Sequence, residues 1–136
     1  MIASIPTFIE TDACNAVESY QLAEDGTIET TFRFNKGGFD GPDKTYKPRG
    51  FIQDRQSNAV WGVQFVWPFK VEYRIICLSN DYERTIIGRT KRDYVWVMAR
   101  QPSISEEDYR RLVKFIGEQG YESGKLRCVP HAPPSS

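Results

Sequence analysis

The residue types that carry most enzyme chemistry are scarce in this 136-residue chain. There is one histidine, His131, and it lies in the Pro-rich end HAPPSS. Nucleophilic catalysis needs a base within reach of a Ser, Cys or Thr, and no Ser-His-Asp or Cys-His set is present. Cys14, Cys77 and Cys128 show no CxxC or Cys/His spacing, so no metal site is expected. Their odd number leaves two alternatives, one disulfide with a free thiol or three buried small hydrophobes. KGGFDG at 36–41 is not a Gly-rich loop that follows a strand and opens a helix, and no cofactor is expected. Asp81 and Asp93 fit turn chemistry. Charged groups do gather in two turns: Lys70 after WPF, and Arg89, Lys91 and Arg92 in GRTKRD. Exposed cations in turns are usually solvated. Their functional alternative is attraction of an anionic head group such as a phosphate or carboxylate.

The elements that must position these groups read as strands. At this length one domain with a real core is expected. Acids and bases balance at eighteen each, so no global field argues for nucleic acid. Met1 to Asp43 nevertheless holds eight acids against two bases. Aromatic residues make up 13% of the chain, which favours strands over helices. No apolar run reaches membrane-span length, and MIASIPTFIE has neither the basic start nor the long apolar core of a secretion signal.

Short strands alternate with turn signals, the pattern of a sandwich or barrel. Strand patterns cover 15–22 and 27–35 around the turn EDG, then a segment broken by Pro48 and hence an edge or bulge. Further strands follow at 59–66, 71–79, 83–90 and 92–100. The one helix is predicted over about 105–119. Ser105 and Asp108 occupy the N-cap and N3 places, and Glu106 and Glu107 fill the first turn. Tyr109, Leu112, Val113 and Ile116 share its apolar face, and Gly120 is a natural stop. A short strand, KLRCV, precedes a tail predicted to be disordered over 131–136, so the folded domain is expected at 1–130.

The segment RDYVWVMAR is apolar on both faces, with Tyr94, Trp96 and Met98 on one and Val95, Val97 and Ala99 on the other. A strand apolar on both faces is covered on both. One side is expected to look inward and the other to pack beneath the helix. Arg100 shares the inward parity. Glu18 poses the opposite difficulty, since it shares parity with Tyr20 and Leu22. Either it meets an inward polar partner or ligand group, or the parity is off by one. The second is favoured here, because a one-residue slip turns every side chain over.

Several of these stretches together resemble the lipocalins. LSNDYERTIIG (78–88), with Asp81 and Tyr82, is similar to the family's second motif, and DYVWVMARQPSISEE (93–107) to its third, where an arginine ends the eighth strand. With FVWPFKVEYRIICL (65–78) and EDGTI they resemble the bacterial outer-membrane and apolipoprotein D-like branch. The resemblance implies an all-β, eight-stranded antiparallel up-and-down barrel (a calycin) with one helix packed outside. The family's Gly-x-Trp motif is missing. IASIP looks like the second half of the first strand, so the first strand is expected to be truncated. A misassigned start, a truncation or a member without a closed base would each account for this. The third-motif arginine packs over that tryptophan in the family, so Arg100 is expected to be solvated or to borrow a turn carbonyl.

The resemblance also implies an interior ligand site. Inward parity assigns Tyr20, Phe32, Val63, Phe65, Tyr73, Ile75, Cys77, Ile87, Tyr94, Trp96 and Met98 to it, with Lys70, Arg89 and Arg92 at the rim. Apolar alternation alone fits a packed core equally well. The expected function is carriage or storage of an amphipathic lipid, a fatty acid or lysophospholipid, without chemistry. An enzyme on the same barrel would have to use Glu18 or the tyrosines. A self-associating protein with an exposed strand edge is a further rival, and a homodimer stays open. Membrane association at a bacterial outer membrane or periplasm is implied only by the resemblance, since no signal peptide or lipid-anchor cysteine is seen.

Overall fold

The computed structural model describes residues 1–6, 11–54, 56–57, 59–66 and 69–132, with residues 65, 66 and 69–71 described by backbone alone. Ten antiparallel strands form one sheet among these residues: β1 (Ala3–Ile5), β2 (Ala13–Leu22), β3 (Ile28–Lys36), β4 (Asp43–Tyr46), β5 (Arg49–Ile52), β6 (Val60–Val66), β7 (Phe69–Leu78), β8 (Arg84–Gly88), β9 (Val95–Ala99) and β10 (Arg127–Cys128). Their order is β10-β1-β9-β8-β7-β6-β5-β3-β2, with β4 also paired to β3. IASIP supplies β1, paired to β9 through Ala3–Val97 and Ile5–Val95. The predicted break at Pro48 separates β4 from β5. Both pair with β3, at Phe32–Asn35 and Ile28–Glu29 respectively.

The outer strands meet at a seam laced by single hydrogen bonds. The Met1 nitrogen donates to the Ala16 carbonyl at 2.9 Å. Asn15 N–H donates to Pro130 O at 2.7 Å, and the Arg127 guanidinium reaches Ala13 O at 2.9 Å. His131 Nε2 lies 2.7 Å from Met1 O, and Ala132 N–H donates to Asn15 Oδ1. The sheet therefore curls until its edges touch. Asn15 takes a left-handed φ of 52°, at the bulge that shifts the β2–β3 register between Cys14 and Val17.

Curling divides the side chains into two cores. One, inside, joins Phe32, Phe34, Val63, Tyr73, Ile87, Trp96 and Met98 to Met1 and Val129 at the seam. The other, outside, packs Ile86, Val95 and Val97 beneath helix α1 (Glu106–Glu118) and Tyr121. Strand β9 serves both, since Val95, Trp96, Val97 and Met98 are all buried. Each such side chain contributes roughly 1.5–3 kcal/mol by leaving water. The helix starts as its sequence predicts, with Ser105 Oγ accepting from Asp108 N–H at 3.1 Å, and Gly120 ends it at φ +95°. Phe115 packs on the sheet beside Tyr109, Leu112 and Ile116. No described helix is long and apolar enough to cross a membrane.

Two contacts at opposite ends of β8 give the fold's first tests. Tyr121 is buried, and its hydroxyl accepts from Arg89 N–H (2.9 Å) and donates to Arg89 O (3.1 Å). Gly88 must stay glycine beneath it, because a Cβ there would fall 2.0 Å from that hydroxyl. Tyr121→Phe leaves both backbone groups unpaired and is expected to cost about 1–3 kcal/mol in denaturant unfolding. Arg100, by contrast, is exposed and donates through Nε to Tyr82 O at 3.0 Å, the turn carbonyl it was expected to borrow. Arg100→Ala should cost no more than about 1 kcal/mol in the same assay. A larger loss would mean that its guanidinium carries contacts beyond that carbonyl.

Candidate ligand-binding site

Antiparallel pairing fixes which turns share an end. The starts of β2 and β9 and the ends of β1 and β3 lie together, as Ala13 opposite Lys36 and Ile5 opposite Val95 show. The turns 37–42 and 89–94 therefore flank one opening. The turns 23–27 and 79–83 lie at the other end.

Within the curl the inward face is aromatic. Trp96 stacks on Tyr73 with ring centroids 4.6 Å apart, and Tyr94 leans on Trp96 at 6.2 Å. Phe32 contacts Phe34 at 5.1 Å. Val63, Ile87 and Met98 are buried in the same cluster, and Ile75 packs against it. Trp61 joins it too, opposite Tyr73 across β6 and β7. Trp61 belongs with the interior residues, and its parity with Val63 was the signal for it. The side chain of Phe65, expected in this group, lies outside the described residues.

Cys77 does not face this interior. The β7–β8 register shifts between Ile75 and Cys77, where Ile75 pairs with Ile87 but Cys77 with Ile86. A bulge adds one residue to one strand and reverses the alternation beyond it. Cys77 accordingly packs in the cluster beneath the helix. All three cysteines are free: Cys14 is buried, Cys77 half-buried and Cys128 exposed. The Cys128 thiol lies 3.2 Å from the Tyr109 hydroxyl. Burial, chiefly, raises the Tyr109 pKa to about 12, helped by that thiol.

Glu18 corrects the favoured sequence reading of its parity. It pairs with Phe32, and Tyr20 pairs with Thr30. Directly opposed residues in an antiparallel pair share a face, and Phe32 and Thr30 are buried. Glu18 thus points inward, next to Tyr20, and forms a side-chain hydrogen bond with it. The phenol must donate, since an ionised carboxylate only accepts.

Tyr20 is the informative member. It meets Trp61 edge-on at 5.8 Å yet leaves 40% of its surface uncovered. Its pKa nevertheless stands well above the usual phenol value. Burial is the largest cause, and the Glu18 charge adds to it. The ring is therefore covered on its Trp61 side and open on the other. Leu22, on the same face, is 67% exposed, so this face is uncovered toward the end with turns 23–27 and 79–83.

At the other end, Arg89 and Arg92, two of the expected rim cations, are engaged by the protein itself. Arg89 pairs with Asp93 at 3.1 Å and lies 5.5 Å over the Tyr94 ring. Arg92, at φ 56°, donates to Gln119 O (2.7 Å) and Thr90 O (3.1 Å). Arg74, Arg89 and Arg92 border an outer groove of about 390 Å³ with Gln119 and Tyr121. Lys91 is exposed, and the Lys70 side chain lies outside the described residues. Asp81 is held below the usual carboxylate range by the Ser79 hydroxyl at 2.6 Å and the Glu83 N–H, a turn-building role. Tyr82 is exposed at φ 58°. Among the described residues no three His, Cys, Asp or Glu are grouped as metal ligands.

Comparison with known proteins agrees with this architecture. The chain is 30% identical to temperature-induced lipocalin-1 of Arabidopsis thaliana, over 99% of this chain and 77% of that protein. It is 30% identical to the outer membrane lipoprotein Blc of Citrobacter freundii and 26% to that of Escherichia coli K12, each over 82% of this chain. It spans only 62% of the length of those two lipoproteins. Among solved structures, apocrustacyanin C2 superposes with a TM-score of 0.71 at 6% identity, covering 96% of this chain and 74% of that one. Lobster apocrustacyanin A1 gives 0.71 at 7% identity, covering 97% of this chain and 74% of that one. That likeness shows the fold. With residues 1–131 also matched by the model of the lipocalin-like domain, the chain belongs to the lipocalin family, in the branch that includes the Blc lipoproteins.

Proposed function

We propose that the protein binds and carries an amphipathic lipid, a fatty acid or lysophospholipid, in the interior of its barrel without chemistry. Membership of the lipocalin family supports binding of a small hydrophobic ligand. The observation that carries the reading to this interior is its aromatic inward face, where the Tyr73–Trp96 stack and Trp61 adjoin a part-exposed Tyr20. An acyl chain placed there would gain roughly 0.8 kcal/mol per methylene removed from water. Trp61, Tyr20 and the Tyr73–Trp96 stack offer the apolar walls. The head group would remain at an opening. Because Arg89 and Arg92 already have protein partners, its binding rests less on these cations than on chain burial.

Tryptophan emission provides the test, since Trp61 touches Tyr20. Hexadecanoate or a lysophospholipid at micromolar concentration is expected to shift that emission. Tyr20→Ala, at a side chain already partly uncovered, should leave the fold intact and weaken binding by about 1–3 kcal/mol. A folded variant with unchanged affinity would place the lipid elsewhere and return the interior to a packed core.

A further inference from the structure

An arginine that leaves water is costly unless a partner meets its charge. Arg49, Arg74, Arg84 and Arg89 each have a carboxylate within ion-pair distance. Arg127 has none among the described residues, although it is half-buried. Among those residues its guanidinium makes one hydrogen bond, from Nη1 to Ala13 O at 2.9 Å, and the rest of its N–H fork is left to be filled. Register places this cation on the inward face. Arg127 pairs with Ser4, and Ser4 with Trp96, so the three side chains share a side, with ~5 Å between the Cβ atoms of each pair. Val129, two residues on, lies in the interior cluster, while Cys128 between them turns to Tyr109 on the helix. The Ser4 hydroxyl is a second polar group here without a hydrogen-bond partner among the described residues, and Ser4 is 1% exposed. The apolar interior thus has a spot where two donor-bearing side chains adjoin and no described carboxylate meets them.

We propose that Arg127, beside Ser4, anchors the anionic head group of the bound lipid, a carboxylate or phosphate. The proposal rests on the lipid-carriage reading and deepens it by fixing which way the chain lies. Ile5 opposite Val95 marks the end with turns 37–42 and 89–94, and Ser4 is the next residue in, ~3 Å deeper along its strand. A head group held there stays close to water at that opening. Its chain then passes the Tyr73–Trp96 stack and runs toward Tyr20 and Leu22 near the other end. The guanidinium suits either anion because its parallel N–H groups match two oxygens. Charge-assisted bonds of this kind correspond to about a tenfold to hundredfold gain in affinity.

The experiment compares hexadecanoate, hexadecyl phosphate and the neutral hexadecan-1-ol by tryptophan emission, on the unmodified protein and on Arg127→Met. Methionine keeps an apolar stem and removes the charge. Both anions should bind the variant about tenfold or more weakly, and the alcohol should bind the two proteins equally. Orientation is read on the unmodified protein alone, so it does not depend on the fold of the variant. A nitroxide at carbon 5 of octadecanoate should broaden the amide signals of Ser4 and Trp96, and one at carbon 16 those of Tyr20 and Leu22. The reverse order, unchanged anion affinity in Arg127→Met, or an equal loss for anions and alcohol would overturn the anchor while lipid carriage stands. If none of these ligands binds the unmodified protein, lipid carriage itself fails and the anchor with it.

Discussion

Strand β9 has no face left for water, and the rest of the molecule is arranged to meet that constraint. Val95 and Val97 require a cover outside, which α1 and Tyr121 supply. Trp96 and Met98 require one inside, which the opposite wall of the curled sheet supplies. Opening the curl would expose the inner pair, and lifting the helix would expose the outer pair. The seam can therefore be held by single hydrogen bonds from residues 1 and 127–132, because burial of β9 already favours the closed form. At the polar edges of this arrangement small devices keep the turns in place. Glu72, held below the usual carboxylate range chiefly by the Thr90 N–H and also by Arg74, ties β7 to the turn before β9.

Much of this was legible in the residues. The double-faced pattern of RDYVWVMAR required two covers, and the Ser105–Asp108 spacing supplied the start of the helix that provides one. Period-two alternation assigned Phe32, Val63, Tyr73, Ile87 and Trp96 to one side, and the register shifts of β6 and β7 fall beyond Val63 and Tyr73. It failed where backbone irregularity intervenes. A bulge between Ile75 and Cys77 carries no side-chain signature of its own, so Cys77 was assigned to the wrong face. Glu18 was misjudged for the opposite reason. Its strand keeps its register from Val17 to Leu22, and the hydrophobicity rule, applied to a lone inward carboxylate, argued against a pattern that was correct. Local rules yield at such positions because a partner, here the Tyr20 phenol, is invisible in sequence order.

The electrostatics sort into two kinds. Arg89 and Arg92 are tied to Asp93 and to backbone carbonyls, so they organise the junction of β8, β9 and the helix end. Among the described residues, Glu18 faces the interior beside Tyr20, and its charge acts on the Met1 ammonium.

The central claim is that a lipid chain occupies the space beside Tyr20, Trp61 and the Tyr73–Trp96 stack. Intermolecular nuclear Overhauser effects between uniformly ¹³C-labelled hexadecanoate and the protein test this most directly. The account predicts that methylene signals of the bound chain connect to ring protons of Tyr20 and Trp61. Connections confined to exposed side chains such as Phe39 or Tyr82, with none to those rings, would contradict it.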